Sequence, residues 1–448
     1  TVTNSGATVA AMTIGGNNSS ANFAGTIQDG VSATALTKVG SGTQTLSGSN
    51  TYSGATTVSN GTLSAAAMNA FGSNSALTTA AGATLDLGGF NQAIGSLAGT
   101  GGTVTNSGAT VAAMTTGGNN SSANFAGTIQ DGVSATALTK VGSGTQTLAG
   151  TNTYSGATTV TNGSLVAGAL NAFGSNSAVT TAAGATLDLG GFNQAIGSLA
   201  GSGGTVSNNG LTAVTMTTGS NNSSTNFGGS IQDGVSATAL TKLGSGTQTL
   251  SGSNTYSGAT TVSNGILAAA AMNAFGSNSA VTTAAGATLD LGGFNQAIGS
   301  LAGSGGTVTN SGATVAAMTT GGNNSSANFA GTIQDGVSAT ALTKVGSGTQ
   351  TLAGTNTYSG ATTVTNGSLV AGAVNAFGSN SAVTTAAGAT LDLGGFNQAI
   401  GSLAGSGGTV SNNGLTAVTM TTGGNNSSAN FAGTIQDGVS ATALTKVG

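Results

Sequence analysis

Acidic and basic side chains are few in this chain, and they recur at fixed positions. The 448 residues include nine Asp and five Lys but no His, Cys, Arg or Glu. The first 102 residues carry only Asp29, Lys38 and Asp86. General acid–base catalysis requires two such groups held together with shifted pKa values. Asp29 lies in a turn-like stretch and Asp86 in a strand-like run, so we interpret both as solvated surface carboxylates. The protein is accordingly predicted not to be an enzyme.

Metal and cofactor chemistry also lacks suitable residues. Calcium sites need several clustered oxygen ligands, and the run Asp86–Phe90 does not have the spacing of calcium-binding repeats. Thiolate and imidazole ligands are missing altogether. The glycines Gly40 and Gly42 are not accompanied by the Lys-Ser/Thr pair and helix start of a phosphate loop. The sequence therefore predicts no catalytic, cofactor-binding or metal-binding residue and no cofactor, with a weak cation site at the carboxylates as the alternative.

The composition excludes several classes of protein. Only 3% of the residues are charged, against about 25% in average soluble proteins. No window approaches the roughly 18 apolar residues of a spanning helix, so no membrane-spanning segment is predicted. The basic patch that nucleic-acid binding requires is missing, so no nucleic-acid partner is predicted. Disordered chains combine low hydrophobicity with high net charge, whereas this chain has a net charge of −4 and apolar residues at regular intervals.

The dominant feature of the sequence is a tandem repeat of 102 residues. The opening segment returns at Thr103, Thr205, Thr307 and Thr409, and repeats 2 and 4 differ only at Leu170 and Val374. The predicted units are residues 1–102, 103–204, 205–306, 307–408 and a truncated 409–448. We expect these units to form one continuous solenoid that extends beyond the present chain.

Each repeat contains about nine or ten short strand-like runs separated by Gly, Asn and Ser. In Thr84–Leu87, Leu85 and Leu87 share one face and Asp86 the other. The run Ser64–Phe71 is too short for a stable helix, and we interpret it as a loop or single turn. The predicted fold is all-β, a right-handed parallel β-helix with about five coils per repeat, in which stacking buries a narrow core. The rival is one β-sandwich per repeat, which should bring more large core residues.

Aromatic and amide residues allow an adhesive interpretation and a packing interpretation. The tyrosines Tyr52, Tyr154, Tyr256 and Tyr358 could form an exposed lane, but about 24 Å would separate neighbours, too far for ring contacts. We favour tyrosines packed over coil corners with hydroxyls in water. Phe23, Phe71 and Phe90 are predicted to pack in the core or at coil ends. The cluster Asn17–Ser20 is interpreted as a polar loop, with stacked ladders or glycan attachment as alternatives.

One motif resembles a known family. It is defined by Leu36, Lys38, Gly40, Gly42, Leu46, Asn50, Tyr52, Gly54, Val58, Gly61 and Leu63. It recurs from Leu138, Leu240 and Leu342 and begins again at Leu444. This pattern is similar to the passenger-associated repeat of bacterial autotransporters. The resemblance implies a β-solenoid exported across the outer membrane of a Gram-negative-type cell, hence an extracellular or cell-surface location, and it carries over no catalytic residue.

These observations favour a structural protein of an extracellular bacterial fibre or filament that provides length and stiffness. Uncharged polar faces favour self-association into fibres or bundles, because little repulsion opposes it. The alternative is an adhesin stalk that binds glycans or neighbouring cells through repeated polar faces. A third hypothesis, an ice-binding surface of Thr arrays, is disfavoured because the Thr spacing is irregular.

Overall fold

The computed structural model describes all 448 residues and consists of strands and loops, with no helix. The chain divides into two compact units, and each is described by itself. Unit 1 contains residues 1–221 and 234–236, and unit 2 contains residues 222–233 and 237–448. The absence of helix includes any helix that could cross a membrane.

Unit 1 contains 26 short strands. The first repeat forms β1 (Val2–Thr3), β2 (Ala10–Ile14), β3 (Ala21–Phe23), β4 (Ile27–Gln28), β5 (Thr34–Lys38), β6 (Thr43–Leu46), β7 (Thr56–Val58), β8 (Thr62–Ala65), β9 (Ala76–Thr79), β10 (Thr84–Asp86), β11 (Gln92–Ala93) and β12 (Ser96–Gly99). The rest of unit 1 forms β13 (Thr103–Thr105), β14 (Ala112–Thr116), β15 (Ala123–Phe125), β16 (Thr128–Ile129), β17 (Thr136–Lys140), β18 (Thr145–Leu148), β19 (Thr158–Val160), β20 (Ser164–Ala167), β21 (Ala178–Thr181), β22 (Thr186–Asp188), β23 (Gln194–Ala195), β24 (Ser198–Ala200), β25 (Thr205–Ser207) and β26 (Val214–Thr218).

Unit 2 repeats this pattern. Its strands are β27 (Thr225–Phe227), β28 (Ser230–Ile231), β29 (Thr238–Lys242), β30 (Thr247–Leu250), β31 (Thr260–Val262), β32 (Ile266–Ala269), β33 (Ala280–Thr283), β34 (Thr288–Asp290), β35 (Gln296–Ala297), β36 (Ser300–Gly303), β37 (Thr307–Thr309), β38 (Ala316–Thr320), β39 (Ala327–Phe329), β40 (Thr332–Ile333), β41 (Thr340–Lys344), β42 (Thr349–Leu352), β43 (Thr362–Val364), β44 (Ser368–Ala371), β45 (Ala382–Thr385), β46 (Thr390–Asp392), β47 (Gln398–Ile400), β48 (Ser402–Gly405), β49 (Thr409–Ser411), β50 (Val418–Thr422), β51 (Thr434–Ile435) and β52 (Thr442–Lys446).

Strands form because Thr, Val, Leu and Ala alternate, and β-branched residues suit an extended backbone. In β5 the side chains of Thr34, Leu36 and Lys38 are buried, whereas Ala35 and Thr37 point outward. Glycine and asparagine supply the corners, as at Gly61, which follows Asn60 and has a φ of 65°. The interval 64–71 contains no helix, as predicted; Ser64 and Ala65 complete β8. Each full repeat holds twelve strands rather than nine or ten, because several strands have only two residues.

All paired strands are parallel, and every pair joins strands of successive coils. Paired residues lie from 19 positions apart, as in Leu148 and Ala167, to 26 apart, as in Gly99 and Phe125. This stacking makes the protein a β-solenoid of about 20 coils and confirms the predicted fold class. Apolar side chains such as Leu63, Leu85 and Val104 stack along the interior and are fully buried.

Three ladders of strands surround the core of unit 1. Ladder 1 runs through β2, β5, β7, β9, β12, β15, β18, β20, β22 and β25. Ladder 2 runs from β3 through β6, β8, β10, β13 and β16, continues through main-chain bonds near Asn152 and Asn171, and reaches β23 and β26. Ladder 3 runs from β1 and β4 through Asn50 and Asn69 to β11, β14, β17, β19, β21 and β24. Each coil therefore contributes one segment to each ladder.

The repeat does not contain a whole number of coils. Ladder 1 leads from β2 through four coils to β12, after which the chain crosses ladder 2 in β13 and reaches ladder 3 in β14. Since β14 is the counterpart of β2, one repeat makes four coils and two of the three sides of a fifth. The predicted five coils are thus correct to the nearest coil, but equivalent residues of repeats 1 and 2 lie a third of a turn apart.

Unit 2 shows the same offset. Its ladder A contains β27, β30, β32, β34, β37 and β40, and continues to β47, β50 and β52. Its ladder B contains β29, β31, β33, β36, β39, β42, β44, β46, β49 and β51, and its ladder C contains β28, β35, β38, β41, β43, β45 and β48. The equivalent strands β29 and β41 lie in ladders B and C, so the one-third offset recurs independently in this unit.

Candidate functional site

The buried lysine is the most unusual ionisable group of each repeat. Lys38 is fully buried, and its Nζ donates hydrogen bonds to the carbonyl oxygens of Val39 at 2.6 Å, Gly40 at 2.7 Å and Asn60 at 3.1 Å. Burial lowers the pKa of this amino group below its ordinary value. The ammonium group has no carboxylate partner; it is satisfied by main-chain dipoles from two successive coils.

The same arrangement recurs in the complete repeats. Lys140 donates to Val141, Gly142 and Asn162 at 2.7, 2.8 and 3.2 Å, and Lys242 and Lys344 make equivalent sets. Burial lowers the pKa of all three amino groups. Close approach demands glycine here, because a Cβ on Gly117 would lie 2.0 Å from the Val141 oxygen. Each of these lysines thus joins two coils.

Asp29 is a brace between coils. Its carboxylate accepts bonds from the Thr34 nitrogen at 2.8 Å and, on the next coil, from the Ser53 hydroxyl at 2.6 Å and the Ser53 nitrogen at 3.1 Å. Partial burial raises its pKa, but the bonds from Ser53 and Thr34 outweigh that effect and lower it overall. Asp29 is half-buried and therefore lies at the surface as predicted, but its carboxylate is bonded to Ser53 of the neighbouring coil.

Asp86 is also engaged, contrary to the prediction of a solvated carboxylate. Only 8% of the residue is exposed. Its oxygens accept bonds from the Gly88 nitrogen at 3.0 Å, the Ser64 hydroxyl at 3.0 Å, and the Ser107 nitrogen and hydroxyl at 2.9 and 2.6 Å. It points away from Leu85 as the alternation predicted, yet serines from the coils before and after enclose it. Asp29 and Asp86 share no partner, and no group of three or more potential acidic metal ligands forms.

The tyrosines lie inside the solenoid, so both the exposed lane and the wet hydroxyl are wrong. Tyr52 is fully buried, and its hydroxyl lies 2.7 Å from the Thr56 hydroxyl, which lies 2.7 Å from that of Ser75. Ser75 in turn donates to the Gly54 oxygen at 2.8 Å. The equivalent tyrosines Tyr154, Tyr256 and Tyr358 make the same hydroxyl chain. Burial raises the pKa of all four phenols well above the ordinary value.

The phenylalanine predictions hold in part. Phe71 is fully buried, and Phe23 is half-buried at the first coils, whereas its counterpart Phe125 is fully buried. Phe90 is 38% exposed, so its assignment to the core is wrong. The chain turns at Gly88 and Gly89, both with positive φ, and this turn carries Phe90 to the outside of a corner.

Buried amides continue the ladders where strand pairing is irregular. Asn152 is 1% exposed; its oxygen accepts from the Ile129 nitrogen at 2.7 Å, and its amide group donates to the Ala172 oxygen at 2.6 Å. One side chain thus joins three consecutive coils. The Asn17–Ser20 cluster is an exposed loop in which Asn18 and Ser20 accept main-chain bonds from Ser41 and Thr43 of the next coil.

Replacing Asn152 with Ala should destabilise repeat 2 by roughly 2–6 kcal/mol. The substitution leaves the buried Ile129 nitrogen and Ala172 oxygen without partners, at about 1–3 kcal/mol each. Urea unfolding combined with hydrogen exchange would locate the loss in the coils that contain residues 129–172. The matched control is Asn162→Ala, which removes only an exposed bond to Gly163; equal effects of both variants would contradict the bracing role.

The comparisons agree with the motif. The family described as passenger-associated-transport-repeat matches residues 36–65, 138–167, 240–269 and 342–371. No curated protein and no solved structure matches the chain.

The matched segments now have a structural explanation. Leu36 and Leu63 are core residues. The Lys38 ammonium group donates to three carbonyl oxygens, which we call the carbonyl cage. The side chains of Asn50 and Tyr52 make buried hydrogen bonds. The positions that define the motif therefore hold one coil to the next. The chain is a β-solenoid with four passenger-associated transport repeats, consistent with the passenger domain of an autotransporter.

Proposed function

We propose that this chain is a non-catalytic structural segment of an extracellular bacterial filament, in which stacked coils supply length and stiffness. The proposal rests on one observation: the side chains capable of chemistry are engaged in hydrogen bonds within the solenoid. Lys140 and Asp29 are occupied by hydrogen bonds that join successive coils, and Tyr154 is buried in a hydroxyl chain. Groups committed in this way are not poised to act on a substrate.

The matched repeats support a cell-surface location. Passenger-associated transport repeats are found in autotransporter passengers, which are exported to the cell surface. The chain has no cysteine, so its stability does not depend on the redox state of its compartment. Both points support a surface filament of a Gram-negative-type bacterium.

Length is the most direct test of this function. Coils are spaced by about 4.8 Å, so each added repeat should lengthen the particle by about 22 Å. Chains of two, four and six repeats would be imaged by electron microscopy and measured by small-angle scattering. A linear increase at constant width supports the proposal; a string of separate globules, or a length that does not grow with repeat number, contradicts it.

The second candidate is an adhesin, and one outward row favours it. Thr115, Thr139, Thr159 and Thr180 occupy adjacent positions on four consecutive coils, so their side chains form a polar row. The next coil presents Ala200, and the one-third offset turns the following row to another side. This interruption weighs against an extended ice-binding array. A glycan array and cell-binding assay showing no attachment would remove the adhesin alternative.

A further inference from the structure

Where one repeat passes into the next, four consecutive coils each expose one large apolar side chain at the same corner of the solenoid. Met68, Phe90, Val111 and Val133 are 57%, 38%, 61% and 76% exposed. They follow ladder 2 and precede ladder 3 on successive coils. We call these four residues the first corner patch. With coils about 4.8 Å apart, the patch extends over about 14 Å.

Main-chain and amide bonds fix the order of these coils. Asn69, beside Met68, donates to the Asn91 oxygen at 3.2 Å, and the Asn91 side chain accepts from Ala113 at 2.8 Å. Val133 donates to the Asn106 oxygen at 2.9 Å. The main chain that carries the apolar side chains is therefore fixed by hydrogen bonds from one coil to the next.

The patch is regenerated at every junction. A second corner patch contains Leu170, Phe192, Leu211 and Val235, which are 52%, 40%, 89% and 64% exposed. In unit 2 equivalent patches begin at Met272 and Val374. Apart from Val9 and Val31 near the first residue and Leu444 and Val447 near the last, these patches contain all the large exposed apolar side chains. Soluble proteins rarely concentrate exposed apolar surface in this way unless it is an interaction site.

The patches face different directions within one unit. The first corner patch lies between ladders 2 and 3, whereas the second lies between ladders 1 and 2. In unit 2 the patch at Met272 lies between ladders A and C, and the patch at Val374 lies between ladders A and B. This change of corner is the direct consequence of the incomplete fifth coil.

We propose that the corner patches are docking sites for further copies of this same chain, and that each chain contacts more than one neighbour. A stable interface buries about 800 Å² on each partner, more than four side chains supply. Affinity must come from several patches engaged together. Successive patches face different directions, so several copies of this chain, each carrying the same patches, can engage them together in a bundle. Because the buried lysines are enclosed and only 3% of residues are charged, little repulsion opposes the contact.

This inference rests on the proposed filament and adds its mode of lateral assembly. The test uses the full chain and replaces Val133, Val235, Val337 and Val439 with Asp. Sedimentation velocity and electron microscopy would measure association over a range of concentrations. The parent chain should form bundles larger than dimers, and the variant should associate at least about tenfold more weakly, with unchanged thermal unfolding. The control replaces the outward Thr78, Thr180, Thr282 and Thr384 with Ser and should associate like the parent.

A second variant tests whether patches that face different directions bind different neighbours. A chain with Phe192, Phe294 and Phe396 changed to Ser keeps only the first corner patch complete, so it should form no assembly larger than a weak dimer. A parent chain that remains monomeric, or a Val→Asp variant that bundles like the parent, overturns the proposal. So does a monomeric parent that binds phosphatidylcholine vesicles, which would assign the patches to a lipid surface. Length still proportional to repeat number in such a monomer would leave the filament proposal standing.

Discussion

Lys140→Met is expected to destabilise repeat 2 by about 3 kcal/mol or more. The substitution removes the donor shared by the carbonyl oxygens of Val141, Gly142 and Asn162. An unsatisfied buried polar group costs about 1–3 kcal/mol. The three carbonyl oxygens are part-buried, so we expect about 1 kcal/mol for each, and together these losses outweigh the saving from no longer burying an ammonium ion. Methionine fills a similar volume, which keeps the effect one of hydrogen bonding rather than of packing.

The chain offers its own control for this substitution. Lys446 is exposed and donates only to Val447 and Gly448. Lys446→Met should therefore change stability by less than about 1 kcal/mol. Denaturant unfolding with site-resolved hydrogen exchange would compare the two variants, since repeat proteins lose structure locally. A Lys140→Met chain as stable as the parent would show that the carbonyl cage does not hold the coils together.

The second large effect is alkaline unfolding driven by the buried tyrosines. Their folded pKa values are raised above the unfolded value of 10.0. Above pH 10 the unfolded chain therefore releases protons that the folded chain retains, and stability falls by about 1.4 kcal/mol per pH unit for each tyrosine. The lysines act oppositely: their folded pKa values lie below 10.5, so stability rises with pH until 10.5 and gains nothing beyond it. The expected net result is a steep loss of stability above pH 10.5.

Ultraviolet absorbance of tyrosinate would follow this transition together with circular dichroism. The four phenols should ionise only as the secondary structure is lost, in one step rather than gradually. A chain with Tyr52, Tyr154, Tyr256 and Tyr358 changed to Phe should lose the steep alkaline decline, although each lost hydroxyl bond costs about 1 kcal/mol at neutral pH. Gradual ionisation in the folded parent chain would contradict the buried hydroxyl chain.

The fold could be predicted from the sequence because its main signals are local. Alternation in Thr84–Asp86, the glycine-rich corners and the recurring motif from Leu36 all indicate stacked short strands. The same alternation contained an unused signal: Thr34, Leu36 and Lys38 are spaced by two, so the lysine must point inward with the leucine.

Other features depend on contacts that the sequence does not display. The burial of Tyr52 and Asp86 is decided by Ser75 and Ser107, which are adjacent only after the coils stack. The coil count per repeat could not be obtained from length alone, since successive coils differ by several residues. The exposure of Phe90 depends on the positive-φ turn at Gly88 and Gly89, which its apolar side chain does not indicate.

Paired cysteines test the incomplete fifth coil most directly, because the parent chain has no cysteine. Ala93 and Thr115 are partners on adjacent coils, at a separation of about 4.8 Å that a disulfide can span. If each repeat made five whole coils, Thr115 would instead stack on Ala98. Mild oxidation followed by peptide mass mapping should show a cross-link in the Ala93→Cys/Thr115→Cys chain and none in the Ala98→Cys/Thr115→Cys chain. The reverse pattern would contradict the one-third offset and the corner arrangement derived from it.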